Sequence, residues 1–280
     1  YLPECALYRN PIYLDLEQVP EFAASVPGQA WLRSAAVQQQ IAELRESPLV
    51  EYEKVYRLKR TALTYAFRGL LRDYRAGGAR SKKFREFLSS EGEPLARYAT
   101  FAALGEYLRK FGSDLWLFPD WPDDYGNPSS ETVRKFSRKH RIRVMFHQYL
   151  QWLIDEQLSK AQTYAKSTGM KIGLYHDLAL ATDRYGADLW SYGNLYVNGC
   201  RVGSPPDDFA PEGQDWSFPP PNTDAIRAHG YGRFVETIRK TARHGGALRL
   251  DHVMRLFRLF WIPEGYEARD GAYVKDNAAD

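Results

Sequence analysis

Sulfur is scarce in this sequence: 280 residues hold 2 cysteines and 3 methionines. Cys5 and Cys200 lie far apart and fit no metal-binding or redox spacing, which leaves two free thiols in a reducing cytoplasm as the expectation. No apolar run approaches the length of a membrane span and no signal peptide opens the chain, so no membrane partner is expected. A surplus of one charge is also missing. The 38 basic and 35 acidic residues leave a net +3, too balanced for nucleic acid as the main partner. The one compact basic run, residues 80–83 beside Gly77 and Gly78, reads as a solvated loop. Low-complexity segments and short-period repeats are absent.

What the chain does have is aromatic surface. Tyr 19, Phe 14 and Trp 7 make up 14% of it, within an otherwise ordinary globular composition of 44% hydrophobic and 26% charged residues. Flat aromatic faces stack on sugar rings, and they serve equally well as core filling, so composition alone leaves both uses open. The length suits one large core or a barrel carrying insertions.

Along the chain, Pro11 to Leu16 reads as a short strand or extended segment bounded by Pro20. From about residue 31 to 140 the texture turns helical, with Val55, Leu58, Ala62, Ala66 and Leu70 at helical spacing, then Leu95, Tyr98, Ala102 and Leu108. Gly77-Gly78 and the loop from Phe118 to Pro128 break this stretch into several helices. A long helix is expected from Arg143 to Lys166, burying Val144, Phe146, Leu150, Leu153, Ile154 and Leu158 and ending at Gly169. The apolar run Lys171 to Tyr175 follows and ends at His176-Asp177. Asn198-Gly199 predicts a hairpin over 195–202, and a Pro-rich loop runs from Ser204 to Pro221. A second helix over 223–244 ends at Gly245-Gly246, and Ala247 to Asp251 is again a short strand closed by an acid. Helix, glycine, short strand, acid, twice over, is the step of a parallel α/β fold. The reading is therefore α/β, a partial (β/α)8 TIM barrel with a large helical insertion: barrel segment 1–30, helical insertion 31–140, and barrel segment 141–280 with a hairpin and loop insertion at about 184–222.

In a parallel barrel the reacting groups stand at the C-terminal strand ends, which selects Asp177 and Asp251. Side chains alternate along a strand, so Arg249 and Asp251 face the same way. A guanidinium beside a carboxylate orients it and favours the ionised form that a nucleophile requires. The competing reading has Asp251 merely capping the segment that begins at His252. His176-Asp177 and Asp251-His252 also raise a metal-dependent barrel hydrolase, but neighbours on a strand face opposite sides and no His-Xaa-His is present.

The segment Ala247-Leu248-Arg249-Leu250-Asp251-His252-Val253-Met254 resembles the nucleophile motif of amylomaltases and plant disproportionating enzymes, the 4-alpha-glucanotransferases of the α-amylase clan. Further motifs follow in that family's order. Gly203-Ser204-Pro205-Pro206-Asp207 with Gly213-Gln214-Asp215-Trp216 resembles its Gly-Ala-Pro-Pro-Asp…Gly-Gln-Xaa-Trp-Gly loop over the active site. Gly173 to Ala179 resembles its first clan region, Phe146 to Leu153 the preceding helix, Asn10 to Leu16 its Asn-Pro-Leu-Tyr-Leu-Asp-Leu segment, and Val50-Glu51-Tyr52 its Val-Asp-Tyr. Ser204, Ser217 and Glu51 depart from the usual alanine, glycine and aspartate.

The resemblance implies a retaining transferase of maltooligosaccharides, starch and other α-1,4-glucans, without cofactor or metal. It makes Asp251 the nucleophile and Arg249 the arginine that holds it. Asp177, Asp207, Trp216, His252, Phe209, Tyr52 and Tyr1 become sugar contacts. Read from the residues alone, Tyr52 is equally a helix-face aromatic and the 203–219 loop an ordinary surface loop. The family's acid/base glutamate, in a Gly-Glu-Asp-Leu-Gly motif, and its stabilising aspartate do not occur in these 280 residues, and its first barrel strand would precede Tyr1. The chain is accordingly expected to be a segment of a longer protein, inactive by itself, with a non-catalytic glucan-binding module as the alternative.

Overall fold

The computed structural model describes residues 5–178 and 181–275. The chain divides into two compact units. One, Asn10–Ala103 with Ser137–Ala161, is helical; the other gathers Leu104–Phe136, Gln162–Asp280 and the described part of Tyr1–Arg9, and carries every strand among the described residues.

The helical unit contains α1 (Pro20–Ala23), α2 (Val26–Leu32), α3 (Ala35–Glu46), α4 (Tyr52–Ala76) and most of α5 (Ala79–Leu108). Part of α7 (Glu131–Lys139) and most of α8 (Arg141–Ser167) complete it; α6 (Asp123–Gly126) belongs to the other unit. Ala62, Leu63, Ala66, Phe67 and Leu70 form one buried stripe of α4, and Gly77 at φ 68 closes the helix as a left-handed cap. Phe67 meets Phe146 and Tyr149 of α8, while Phe84 meets Trp152. Helix α8 covers the expected span, with Val144, Phe146, Leu150, Leu153 and Ile154 buried as expected and Leu158 only half-buried.

Two local expectations for this unit do not hold. Pro11–Tyr13 is a 3-10 turn rather than a strand, because Asn10 caps it by accepting the Ile12 N–H and Pro11 pre-sets the first helical φ. Residues 80–83 belong to α5, and Arg80 is no solvated loop charge. It pairs with Glu21 at 2.7 Å and Glu156 at 2.7 Å, and its guanidinium lies 4.1 Å from the Trp152 ring centroid. The buried Tyr149 hydroxyl donates to the same Glu21.

In the second unit, β1 (Tyr175–Asp177) and β4 (Ala247–Arg249) pair in parallel. Between them come α9 (Ala187–Tyr192), β2 (Cys200–Ser204), β3 (Gln214–Asp215), α10 (Thr223–Ala228) and α11 (Gly232–Ala242), and α11 packs on both parallel strands. Gly173 at φ 75 keeps the 171–174 run from extending, so the first ladder begins only at Tyr175. The single helix expected over 223–244 is two, since Gly230 and Tyr231 both take positive φ. The 195–202 hairpin does not form either. Asn198-Gly199 makes its turn, but Tyr196 bridges Pro221 and β2 pairs elsewhere. With β5 (Arg258–Pro263) and β6 (Ala272–Lys275) it builds an antiparallel sheet in the order β3-β2-β5-β6 around Phe260 and Ile262. Gly203 is required there, because a Cβ would lie 2.0 Å from the Gln214 carbonyl oxygen. The fold is α/β. Among the described residues no helix is long and apolar enough to cross a membrane.

Candidate active site

The two parallel strands bring their terminal residues level, with Asp177 opposite Arg249. Close approach is set by Gly246. Its N–H donates to the Leu174 carbonyl at 2.9 Å, and a Cβ would stand 1.8 Å from the Ile172 oxygen. Laterally paired residues share a face, so Asp177 and Arg249 meet: Arg249 Nη1 lies 2.9 Å from Asp177 Oδ2. The other end of the guanidinium, Nη2, lies 2.9 Å from Asp251 Oδ2. One planar cation therefore holds an acid on its own strand exit and an acid from the neighbouring strand.

His252 takes a left-handed conformation, φ 46 and ψ 47, which returns its own N–H to Asp251 Oδ1 at 2.9 Å. Both Asp251 oxygens are thus engaged, one by backbone and one by Arg249. The His252 ring lies beside the Trp216 indole, tilted by 57° with centroids 5.0 Å apart, and Trp216 stacks on Phe218 at 6.0 Å. His176, adjacent to Asp177, turns the other way and bonds the His244 carbonyl at 3.0 Å.

The charged side chains are open, 57% exposed for Asp177, 50% for Arg249 and 42% for Asp251. Ion pairs this accessible contribute roughly 0–1 kcal/mol to stability. The fold does not depend on them, and they remain reachable by a ligand. A cavity of about 80 Å³ in the same unit, lined by Leu195, Phe218, Ile226 and Phe234 among others, contains none of these three residues and is not where the acids converge.

The remaining expected contacts are Asp207, Phe209, Tyr52 and Tyr1. Asp207 Oδ1 accepts the N–H groups of Phe209 and Ala210, at 2.8 and 2.7 Å, so its carboxylate shapes the turn that carries Phe209, 99% exposed. Among the described residues no hydrogen bond or ring contact joins Asp207 or Phe209 to the Arg249 group. Tyr52, 54% exposed, opens α4 in the helical unit. Tyr1 lies outside the described residues. Among the described residues no group of three or more His, Cys, Asp or Glu is arranged to hold a metal ion.

Two features escape a reading of motifs. Asp188, 1% exposed, accepts from the Ala6 N–H, Thr182 Oγ1, Cys5 Sγ and Arg233 Nη2. Burial, then Asp188, pushes the Cys5 thiol well up. Burial would lower the Arg233 guanidinium, and Asp188, Cys5 and Tyr192 more than reverse it. An aspartate in the first turn of a six-residue helix gives no sign in sequence of so many distant partners. The second feature is the Asp215-Trp216-Ser217 turn, for which a signal does exist: an aspartate two residues before a small polar residue favours a side-chain-closed turn.

An α/β chain that gathers acids at neighbouring strand ends has the layout of an enzyme whose site lies at the strand C-termini. The chain belongs to the 4-alpha-glucanotransferase family, glycoside hydrolase family 77, whose model matches residues 1–280. It is 38% identical over 271 residues to the 4-alpha-glucanotransferase of Haemophilus influenzae, across 95% of this chain and 38% of that protein. Among solved structures, amylomaltase from Corynebacterium glutamicum superposes with TM-score 0.77 at 30% identity, covering 99% of this chain and 36% of that one. Amylomaltase from Streptococcus agalactiae, solved with acarbose, shares the fold at TM-score 0.81 and 19% identity, over 97% of this chain and 52% of that one. The chain therefore spans well under half the length of the Haemophilus relative.

Proposed function

We propose that this chain carries the nucleophile side of a retaining 4-alpha-glucanotransferase acting on maltooligosaccharides and longer α-1,4-glucans, and that its α/β unit is part of a (β/α)8 barrel into which the helical unit is inserted. Asp251 attacks the anomeric carbon as the bond to the leaving oxygen breaks. A carboxylic acid, for which the family motif implies a glutamate outside the 280 residues, protonates that oxygen. The 4-hydroxyl of an acceptor glucan then displaces Asp251 and gives its proton to the same carboxylate, restoring both groups.

Arg249 keeps Asp251 aligned and Asp177 beside it, where Asp177 binds sugar hydroxyls. Trp216 and His252 offer faces to the glucan ring, and the 203–219 loop, with Asp207 and Phe209, shields the covalent intermediate from water. Tyr52 and Tyr1 are further sugar contacts in this reading. One observation carries it: in a chain of this family, a single guanidinium grips acids from two adjacent parallel strand ends, 2.9 Å from each.

The test is Asp251→Asn in the protein expressed from its whole gene. With maltotriose as donor and acceptor, the parent yields glucose and longer oligosaccharides. The variant is expected to yield none while its circular dichroism stays that of the parent. Transfer at a parental rate in the variant, or none in the parent, overturns the reading.

A further inference from the structure

Resting on the transfer reading of the Asp251 site, we infer that Asp215 is a positioning residue that holds Trp216 over His252 by carrying the left-handed backbone of Ser217, with Arg201 as its anchor. Ser217 sits at φ 61, a conformation that glycine adopts freely and an L-residue resists. Serine here costs the turn roughly tenfold in its population relative to glycine unless something offsets it.

Asp215 supplies the offset. Its Oδ1 accepts the Ser217 N–H at 2.7 Å and lies 3.5 Å from the Ser217 hydroxyl. Its Oδ2 is fixed by Arg201 Nε at 2.6 Å. Arg201 in turn donates to the Tyr266 carbonyl at 2.9 Å, so the anchor is the exit of β5 rather than the loop itself. Between the two bonded residues stands Trp216. Its N–H donates to the Val202 carbonyl at 3.0 Å, its indole Nε1–H to Gln214 Oε1 at 3.0 Å, and its ring packs beside His252. The residue after that turn, Phe218, is buried and stacks on the indole. The chain Arg201, Asp215, Ser217 thus sets the indole beside His252, the residue that follows Asp251.

The consequence is a dependence between two positions. Asp215 is needed because residue 217 is not glycine, and a glycine at 217 should make Asp215 dispensable. The experiment is a double-mutant cycle in the protein expressed from its whole gene: Asp215→Ala, Ser217→Gly and both together. Two readouts apply, the hydrogen exchange of the Trp216 N–H and the maltotriose transfer kinetics. Asp215→Ala is expected to speed that exchange and raise KM, each roughly tenfold, with kcat held within about threefold because Asp251 and Arg249 are untouched. Adding Ser217→Gly is expected to return both to near the parent.

Parental exchange in Asp215→Ala, or a double variant as impaired as the single one, overturns the inference; the latter would mean that Asp215 only stabilises the sheet through Arg201. If the parent itself makes no transfer products, the reading of the Asp251 site fails, and the exchange measurement still decides the loop.

Discussion

Removing the Asp188 carboxylate tests how the second unit is tied together. The side chain is 1% exposed and receives Ala6 N–H at 2.6 Å, Arg233 Nη2 at 2.6 Å, Thr182 Oγ1 at 3.0 Å and Cys5 Sγ at 3.2 Å. In Asp188→Ala the guanidinium of Arg233, whose side chain is 15% exposed, loses its buried partner. Stranding a buried charge costs about 3–5 kcal/mol, and each orphaned neutral donor about 1–3 kcal/mol. These terms share one site and do not add. Arg233 also keeps Glu236 at 3.1 Å, but that carboxylate is 41% exposed and returns under about 1 kcal/mol. A loss of about 4 kcal/mol is therefore expected, a large fraction of the roughly 5–15 kcal/mol margin of a folded protein and equal to roughly 10 °C in Tm. Asp188→Asn keeps an acceptor of the same shape and should cost about half as much. Urea unfolding of the parent and both variants measures it. A Asp188→Ala loss below about 1 kcal/mol would refute the view that this carboxylate joins the N-terminal segment, α9 and α11.

Arg249→Lys keeps the charge but not the fork, and one ammonium cannot sit 2.9 Å from acids on two strands in the same geometry. Transfer kcat is expected to fall about 100-fold with little change in melting temperature, and a variant within about threefold of the parent would refute the bridging role. Alkaline pH should destabilise the protein. Burial holds Cys5, Tyr149 and Tyr196 neutral above their ordinary values of 9.0, 10.0 and 10.0, so the unfolded chain releases these protons first. Their contribution is intact below about pH 9 and is lost as pH rises further. The urea midpoint is expected to drop between pH 8 and pH 10.5, and less so in Cys5→Ala; equal midpoints in the parent at both pH values would contradict this. Cys5 should also resist a thiol reagent until the chain is unfolded.

Helices and the apolar approach to each acid are legible in this sequence because their signals are local, although β4 stops at Arg249, two residues short of Asp251. The stripe of Ala62, Ala66 and Leu70, the left-handed glycine at 77, and the apolar tract before Asp251 each report on a few neighbouring residues. The motif order around Arg249 and Asp251 points to the candidate site for the same reason. Where local signals mislead, a partner far along the chain decides. Asn198-Gly199 does turn, yet β2 finds β5 rather than its own neighbour, and the basic residue Arg80 is drawn between Glu21 and Glu156.

The tertiary structure alone decides that Arg249 reaches Asp177, 72 residues earlier, as well as Asp251. It alone reveals that Ser217 holds a positive φ against an aspartate anchored from β2, and that Asp188 collects four donors. Sequence spacing says which face of a strand a side chain takes. Which strand lies alongside, and therefore which charges meet, depends on how buried apolar faces and unpaired backbone groups across the whole unit are satisfied at once.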